Sequence, residues 1–315
     1  MLLCLMGMGA MPTAQAKNAF YGVLEKDGKT IKCYYDDKKA ERGGASPFKE
    51  EWKKVVTNAF FDESVKDYHP TTIASLFSHF VELRVIENFE YLNTEDVKLM
   101  NHVFNDCKKL ESVNLNKFKT GSATTMKSMF RHCSSLTSIN VKGFDTKNVT
   151  DMSFMFDSCV NVTTLDVSKF ATYNVTDMQS MFRNCSSLAY LDLSNFNTYQ
   201  VKNMSHMFHG CSNLPFLYVN SFDTRQVTTM RSMFNGCSGI GMLDVSMLAT
   251  GKVKDMSYMF YNCSGLNILY CKFSDTRDVT NMSYMFKNCK RLPELDLYRF
   301  SVQNVDSMLG MFENT

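Results

Sequence analysis

Val149-Thr150-Asp151-Met152-Ser153-Phe154-Met155-Phe156-Asp157-Ser158-Cys159 carries the pattern that decides the fold. Met152, Met155, Phe156 and Cys159 fall at i, i+3, i+4 and i+7, the spacing that lines one face of a short helix. Thr150 and Asp151 stand just before it as suitable N-cap residues. Downstream, Val162, Leu165 and Val167 enter a Leu-x-x-Leu-x-Leu pattern. Its last alternation, Leu165-Asp166-Val167, is the period-2 signal of a short strand. Phe170 and Thr172 close the unit before Val175 opens the next.

Outward from this stretch the same unit recurs. Cys107, Cys133, Cys159, Cys185, Cys211, Cys237, Cys263 and Cys289 are spaced 26 residues apart. Phe104 to Phe312, Met126 to Met308, Val149 to Val305 and Thr146 to Thr276 keep the same register, without insertion or deletion. A period in this range marks a stacked-repeat architecture. A helix of about two turns and a strand of about four residues cannot hold an apolar face alone, so each unit must bury its face against its copies. The expected fold is an α/β repeat solenoid of leucine-rich-repeat type, with one short helix and one short parallel strand per unit. At a strand spacing of about 4.8 Å, the array predicts a rod on the order of 40 Å long.

The units account for most of the 315 residues. Residues 1–16 read as an export signal: Leu2 to Met11 is apolar, and Ala14-Gln15-Ala16 supplies the small-x-small site, with cleavage near Ala16. Residues 17–68 form a module that does not repeat. In it, Phe20 to Leu24 and Thr30 to Tyr35 flank an Asp27-Gly28 turn and predict a β-hairpin. A solenoid needs a cap over its first apolar face, and this module is placed to provide one. Residues 69–96 are a degenerate first repeat, and 97–315 hold the regular units.

Charge and composition exclude several functions. The net charge of +2 comes without a basic run, against the concentrated footprint of a nucleic-acid binder. No apolar stretch is long enough to span a membrane as a helix. The methionines sit at core spacing, not as a metal or haem site. For the cysteine column there are three readings. Metal binding needs ligands that converge, not one per unit in a line. Disulfides between neighbouring units are sterically conceivable but would break a uniform column into alternating gaps. Buried free thiols are the reading preferred here. The six histidines form no continuous column, and no phosphate loop or hydrolase motif appears. The chain reads as a non-enzyme with no cofactor and no metal.

The unit Asn-Val-Thr-Asp-Met-Ser-x-Met-Phe-x-x-Cys-x-x-Leu-x-x-Leu-Asp-Leu-Ser-x-Phe-x-Thr is followed closely from Asn174 to Thr198, with Gln179 in place of Ser. On this unit, and on Tyr34 to Gly44 and His69 to Thr72 ahead of it, the sequence resembles the BspA-like leucine-rich-repeat surface proteins of Bacteroidetes type. The resemblance implies a secreted or cell-surface location and adhesion-type binding. It brings no catalytic motif.

A structural column is uniform, whereas an outward one is free to vary. Two outward strand columns run Ser112, Ser138, Thr164, Tyr190, Phe216, Met242, Ile268, Glu294 and Asn114, Asn140, Asp166, Asp192, Tyr218, Asp244, Tyr270, Asp296. The middle units exchange small polar residues for Tyr190, Phe216, Tyr218, Met242, Ile268 and Tyr270, which form the candidate binding site for a protein or glycoprotein ligand, host extracellular matrix among them. The competing explanation is that another part of the chain covers them, or that drift placed them there. Tyr258 and Tyr284 form a second, weaker candidate. The alternative function is a structural stalk or matrix component without a specific ligand.

Overall fold

The computed structural model describes residues 17–273 and 275–315, so the export signal expected at 1–16 lies outside the described residues. Strands β1 (Ala19–Leu24) and β2 (Thr30–Asp36) form the expected antiparallel hairpin. Its turn is held by Asp27, whose Oδ1 accepts from the N–H groups of Lys29 and Thr30, while Gly28 takes φ 66°. β2 then pairs in parallel with β3 (Asn58–Phe61), and β3 with β4 (Val85–Glu87), giving a sheet of order β1-β2-β3-β4. β4 lies in the degenerate repeat, so the sheet passes directly into the array. One continuous apolar core runs from Ile31 to Met311.

Within each unit the structure corrects the sequence reading. The short helix does not form. The buried face is as expected, with Met152, Met155, Phe156 and Cys159 fully buried, but the backbone follows another path. Phe154 and Ser158 adopt φ of 58° and 60°, in the left-handed region. This alternation turns every second N–H toward the next unit. Met152, Phe154, Phe156 and Ser158 donate to the carbonyls of Asp177, Gln179, Met181 and Arg183 at 2.7–3.1 Å. The N–H groups between them close i→i−3 turns, Met155 to Met152, Asp157 to Phe154 and Cys159 to Phe156. A helix this short would leave most of its terminal N–H and C=O groups unpaired. Pairing half of them across units satisfies the backbone instead, at the cost of two left-handed residues per unit.

That cost is visible in the sequence. The position occupied by Ser158 reads Asp106, His132, Ser158, Asn184, Gly210, Gly236, Asn262, Asn288 and Asn314, all with positive φ. Asn, Asp and Gly are the residues that tolerate this region best.

The strands are also sparser than expected. Among the described residues of the regular units, regular pairing occurs between β5 (Met242–Asp244) and β6 (Ile268–Tyr270) alone, in parallel. Elsewhere the Leu-x-Leu segments make single bridges, Ser138 to Thr164 and Thr164 to Tyr190. The continuous parallel ladder lies instead one residue before the Met column, from Thr72 through Leu99, Thr125, Asp151, Asp177, Asn203, Thr229, Asp255 and Asn281 to Ser307.

Side chains complete the stacking. Phe rings from Phe104 to Phe312 stack face to face at 5.4–5.9 Å. The buried Thr column replaces a missing backbone link: Thr172 Oγ1 donates to the Asn197 carbonyl at 2.9 Å and accepts from the Asn197 N–H at 2.8 Å. The cysteines of the column are buried free thiols. Cys159 Sγ donates to the Phe130 carbonyl at 3.1 Å, and burial pushes its pKa well above the ordinary thiol value.

Candidate binding face

Leu and Val of each Leu-x-Leu segment turn inward, as Leu191, Leu193, Leu217, Val219, Leu243 and Val245 do, and all are buried. The alternate residues must then face outward. Nothing in the described chain covers them: Tyr190 is 58% exposed, Phe216 45%, Tyr218 65%, Met242 50%, Ile268 43% and Tyr270 50%. The six predicted residues thus occupy adjacent columns on four successive units.

The face is uneven because the strand ladder breaks. Ala189 donates its N–H to the Thr163 carbonyl, and Asn267 to the Gly241 carbonyl. In the two units between, the corresponding positions are Pro215, which has no N–H, and Gly241, whose N–H makes no such bond among the described residues. No bridge joins Tyr190 to Phe216 among the described residues. At this break a cleft of about 290 Å³ opens between Tyr190 and Tyr218, floored by Leu191 and Leu193 and edged by Asp192 and Asn220. Phe216 packs against the Tyr218 ring at 5.8 Å and props it up.

The carboxylates beside the rings are held in fixed poses. Asp192 Oδ1 accepts from the Ser194 N–H at 2.9 Å, and Asp244 Oδ1 accepts from the Ser246 N–H and hydroxyl at 2.9 and 2.6 Å. In both turns the second carboxylate oxygen has no hydrogen-bond partner among the described residues. The Ser194 hydrogen bonds lower the Asp192 pKa, so the group is ionised at neutral pH.

Asp192 stands in the second outward column but outside the six candidate site residues, and Ser194 and Asn220 lie in neither column. Met247, 67% exposed, also lies outside the predicted set. A second cavity, about 440 Å³, lies between the N-terminal sheet and the first units, lined by Phe20, Phe48, Tyr68, Phe80 and Leu92 among others. No sequence feature pointed to it.

The Tyr258 and Tyr284 pair stacks at 5.0 Å and is only partly exposed. Arg231 sits over Tyr258 and Lys287 over Tyr284, at 5.0 and 5.1 Å, so the rings are already engaged within the chain. Of the histidines, His79 and His132 reach the same carboxylate, Asp106, at 3.1 and 2.7 Å, while His206 and His209 lie ring against ring at 5.8 Å. Among the described residues no group of three or more His, Cys, Asp or Glu is placed to hold a metal ion, and no helix is long and apolar enough to cross a membrane.

A family model described as "Mycoplasma protein of unknown function, DUF285" matches residues 71–190, 133–241, 178–274 and 242–315 in overlapping copies, together spanning 71–315. No curated protein matches the sequence. Among solved structures, a leucine-rich repeat protein from Bacteroides ovatus is 16% identical, with TM-score 0.40, over 75% of this chain. The match spans 65% of that protein's length. A leucine-rich repeat protein from Eubacterium ventriosum is 15% identical, with TM-score 0.39, over 95% of this chain and 94% of its own. A leucine rich cell surface protein from Faecalibacterium prausnitzii is 17% identical, with TM-score 0.29, over 85% of this chain and 96% of its own.

Proposed function

The chain belongs to the DUF285 family, and on that premise we propose that it is an exported, non-enzymatic binding protein of the BspA-like leucine-rich-repeat type. In this reading residues 17–68 cap a solenoid, the regular units form its body, and one lateral face captures a protein or glycoprotein ligand. Host extracellular matrix and neighbouring cells are the candidate sources.

One observation carries the reading. The outward columns are small and polar in the early units and become Tyr190, Phe216, Tyr218, Met242, Ile268 and Tyr270 in the middle, all exposed. Each such side chain keeps apolar surface in contact with water, and grouped apolar exposure of this kind marks interaction surfaces. Tyr is favoured there because it joins a large apolar body to a polar tip. A stalk has no use for this concentration on one face.

The test is a pull-down from extracellular matrix and mucus, using the purified protein and its Tyr190→Ala/Phe216→Ala/Tyr218→Ala variant. The reading predicts a ligand retained by the native face and lost by the variant at equal thermal stability. Equal capture by both proteins would sink it.

A further inference from the structure

The cleft between Tyr190 and Tyr218 has a chemistry more specific than that of an apolar patch. Its walls are two tyrosine rings on neighbouring units, and Asp192 stands between them in register with Tyr218, 26 residues earlier. Segments 190–194, 216–220 and 242–246 carry only two charges, Asp192 and Asp244, both negative. Asp192 spends one oxygen on the Ser194 N–H, and no Lys or Arg pairs with it among the described residues. An aromatic ring presents a negative face to a cation, and a nearby unpaired carboxylate adds Coulomb attraction of the same sign. Elsewhere on this chain such ring faces are filled from within, as by Arg231 over Tyr258. Among the described residues no Lys or Arg lies over the ring of Tyr190 or Tyr218, and both side chains are exposed.

We propose that this cleft is a receptor for a basic side chain, arginine or lysine, presented by the protein ligand. The guanidinium or ammonium group lies between the rings of Tyr190 and Tyr218 and pairs with the outer oxygen of Asp192. The apolar stem of the same side chain covers Leu191 and Leu193 at the floor. Asn220 and Ser221, on the rim, are placed to bond the ligand backbone. Pro215 lies at the edge of this break and offers no N–H to the neighbouring unit. The inference rests on the reading of this face as a binding surface and adds the ligand's charge to it.

The experiment is a calorimetric titration of the full chain with a hexa-arginine peptide, with the neutral hexa-citrulline peptide as isostere. Hexa-arginine is expected to bind, and hexa-citrulline to bind at least tenfold more weakly. Asp192→Asn keeps the acceptor for the Ser194 N–H, so the turn survives, yet it is expected to weaken binding about fivefold. Asp166→Asn, in the same column but beside Thr164 instead of an aromatic ring, is expected to change little. Absence of hexa-arginine binding, indifference to Asp192→Asn, or equal binding of the citrulline peptide would each overturn the proposal. Loss of matrix capture by the triple aromatic variant together with any of these would leave the binding face standing and remove only the cation site.

Discussion

The backbone path within each unit gives the sharpest prediction, because a helix and the observed turn ladder reverse the sign of one comparison. Ser180 sits at φ 55°, is buried, and donates its N–H to the Ser205 carbonyl of the next unit at 2.9 Å. Replacing it by Ala or by Gly removes the same hydroxyl, so contacts of that oxygen cancel between the two variants. In the left-handed region a Cβ costs about 1–2 kcal/mol, which glycine avoids. Glycine gives back roughly 0.5–1 kcal/mol through the freedom of its unfolded chain. The net prediction is that Ser180→Gly is more stable than Ser180→Ala by about 1 kcal/mol. In a helix the order reverses, with Ala better by about 1 kcal/mol. The two geometries therefore differ by about 2 kcal/mol, or several degrees in melting temperature. Urea and thermal unfolding followed by circular dichroism measure the pair directly. An Ala variant more stable than the Gly variant would refute the turn ladder.

Other consequences follow from individual columns. Thr172→Val keeps the shape but strips both hydrogen bonds that the buried Thr172 hydroxyl makes to the Asn197 peptide, so it should cost about 2–4 kcal/mol, whereas Thr150→Val, which loses one exposed bond, should cost under about 1 kcal/mol by the same denaturation assay. The cysteines from Cys107 to Cys289 are buried with raised pKa values, so a thiol reagent such as Ellman's should leave them unmodified in the native protein and titrate them only after unfolding. His206 has its pKa lowered to about 4 by burial, with the charges of His209, Arg183 and Arg231 adding to the effect. Its neutral form is the one the fold accepts, so stability should hold above about pH 6.5 and fall between there and about pH 4, by roughly 2 kcal/mol once the full shift of about 3.4 kcal/mol is discounted for solvent screening of this part-exposed ring. His206→Ser, which installs the residue found at positions 180 and 232, should flatten that part of the pH profile.

Much of this molecule was legible because repetition multiplies weak signals. One Met or Phe says little, but Met152, Met155, Phe156 and Cys159 repeated in register identify the core, and each is buried. The conformation of the same stretch was misread for a physical reason. A spacing of i, i+3, i+4 and i+7 reports which side chains share a face, and alternating right- and left-handed residues produce that face as well as a helix does. The distinguishing information lay in the Asn, Gly and Asp column that ends at Asn314, where left-handed backbone is cheapest. Strand alternation at Leu165-Asp166-Val167 likewise gave the inward and outward sides, while the extent of hydrogen bonding depended on neighbours such as Pro215. The exposed aromatic residues were visible as departures from a uniform column. The cleft at Asp192 was not, since it arises between units and no single unit contains it.

The central claim is that the lateral face of the middle units binds a ligand and that the array does not serve merely as a spacer. The most direct test compares ligand capture by two variants with matched stability. One is Tyr190→Ala/Phe216→Ala/Tyr218→Ala, with the number of units intact; the other deletes residues 112–137, a full unit of 26 residues outside the face. A binding face predicts that the first variant loses capture and the second retains it. Retention by the first and loss by the second would contradict the claim and make the protein a spacer.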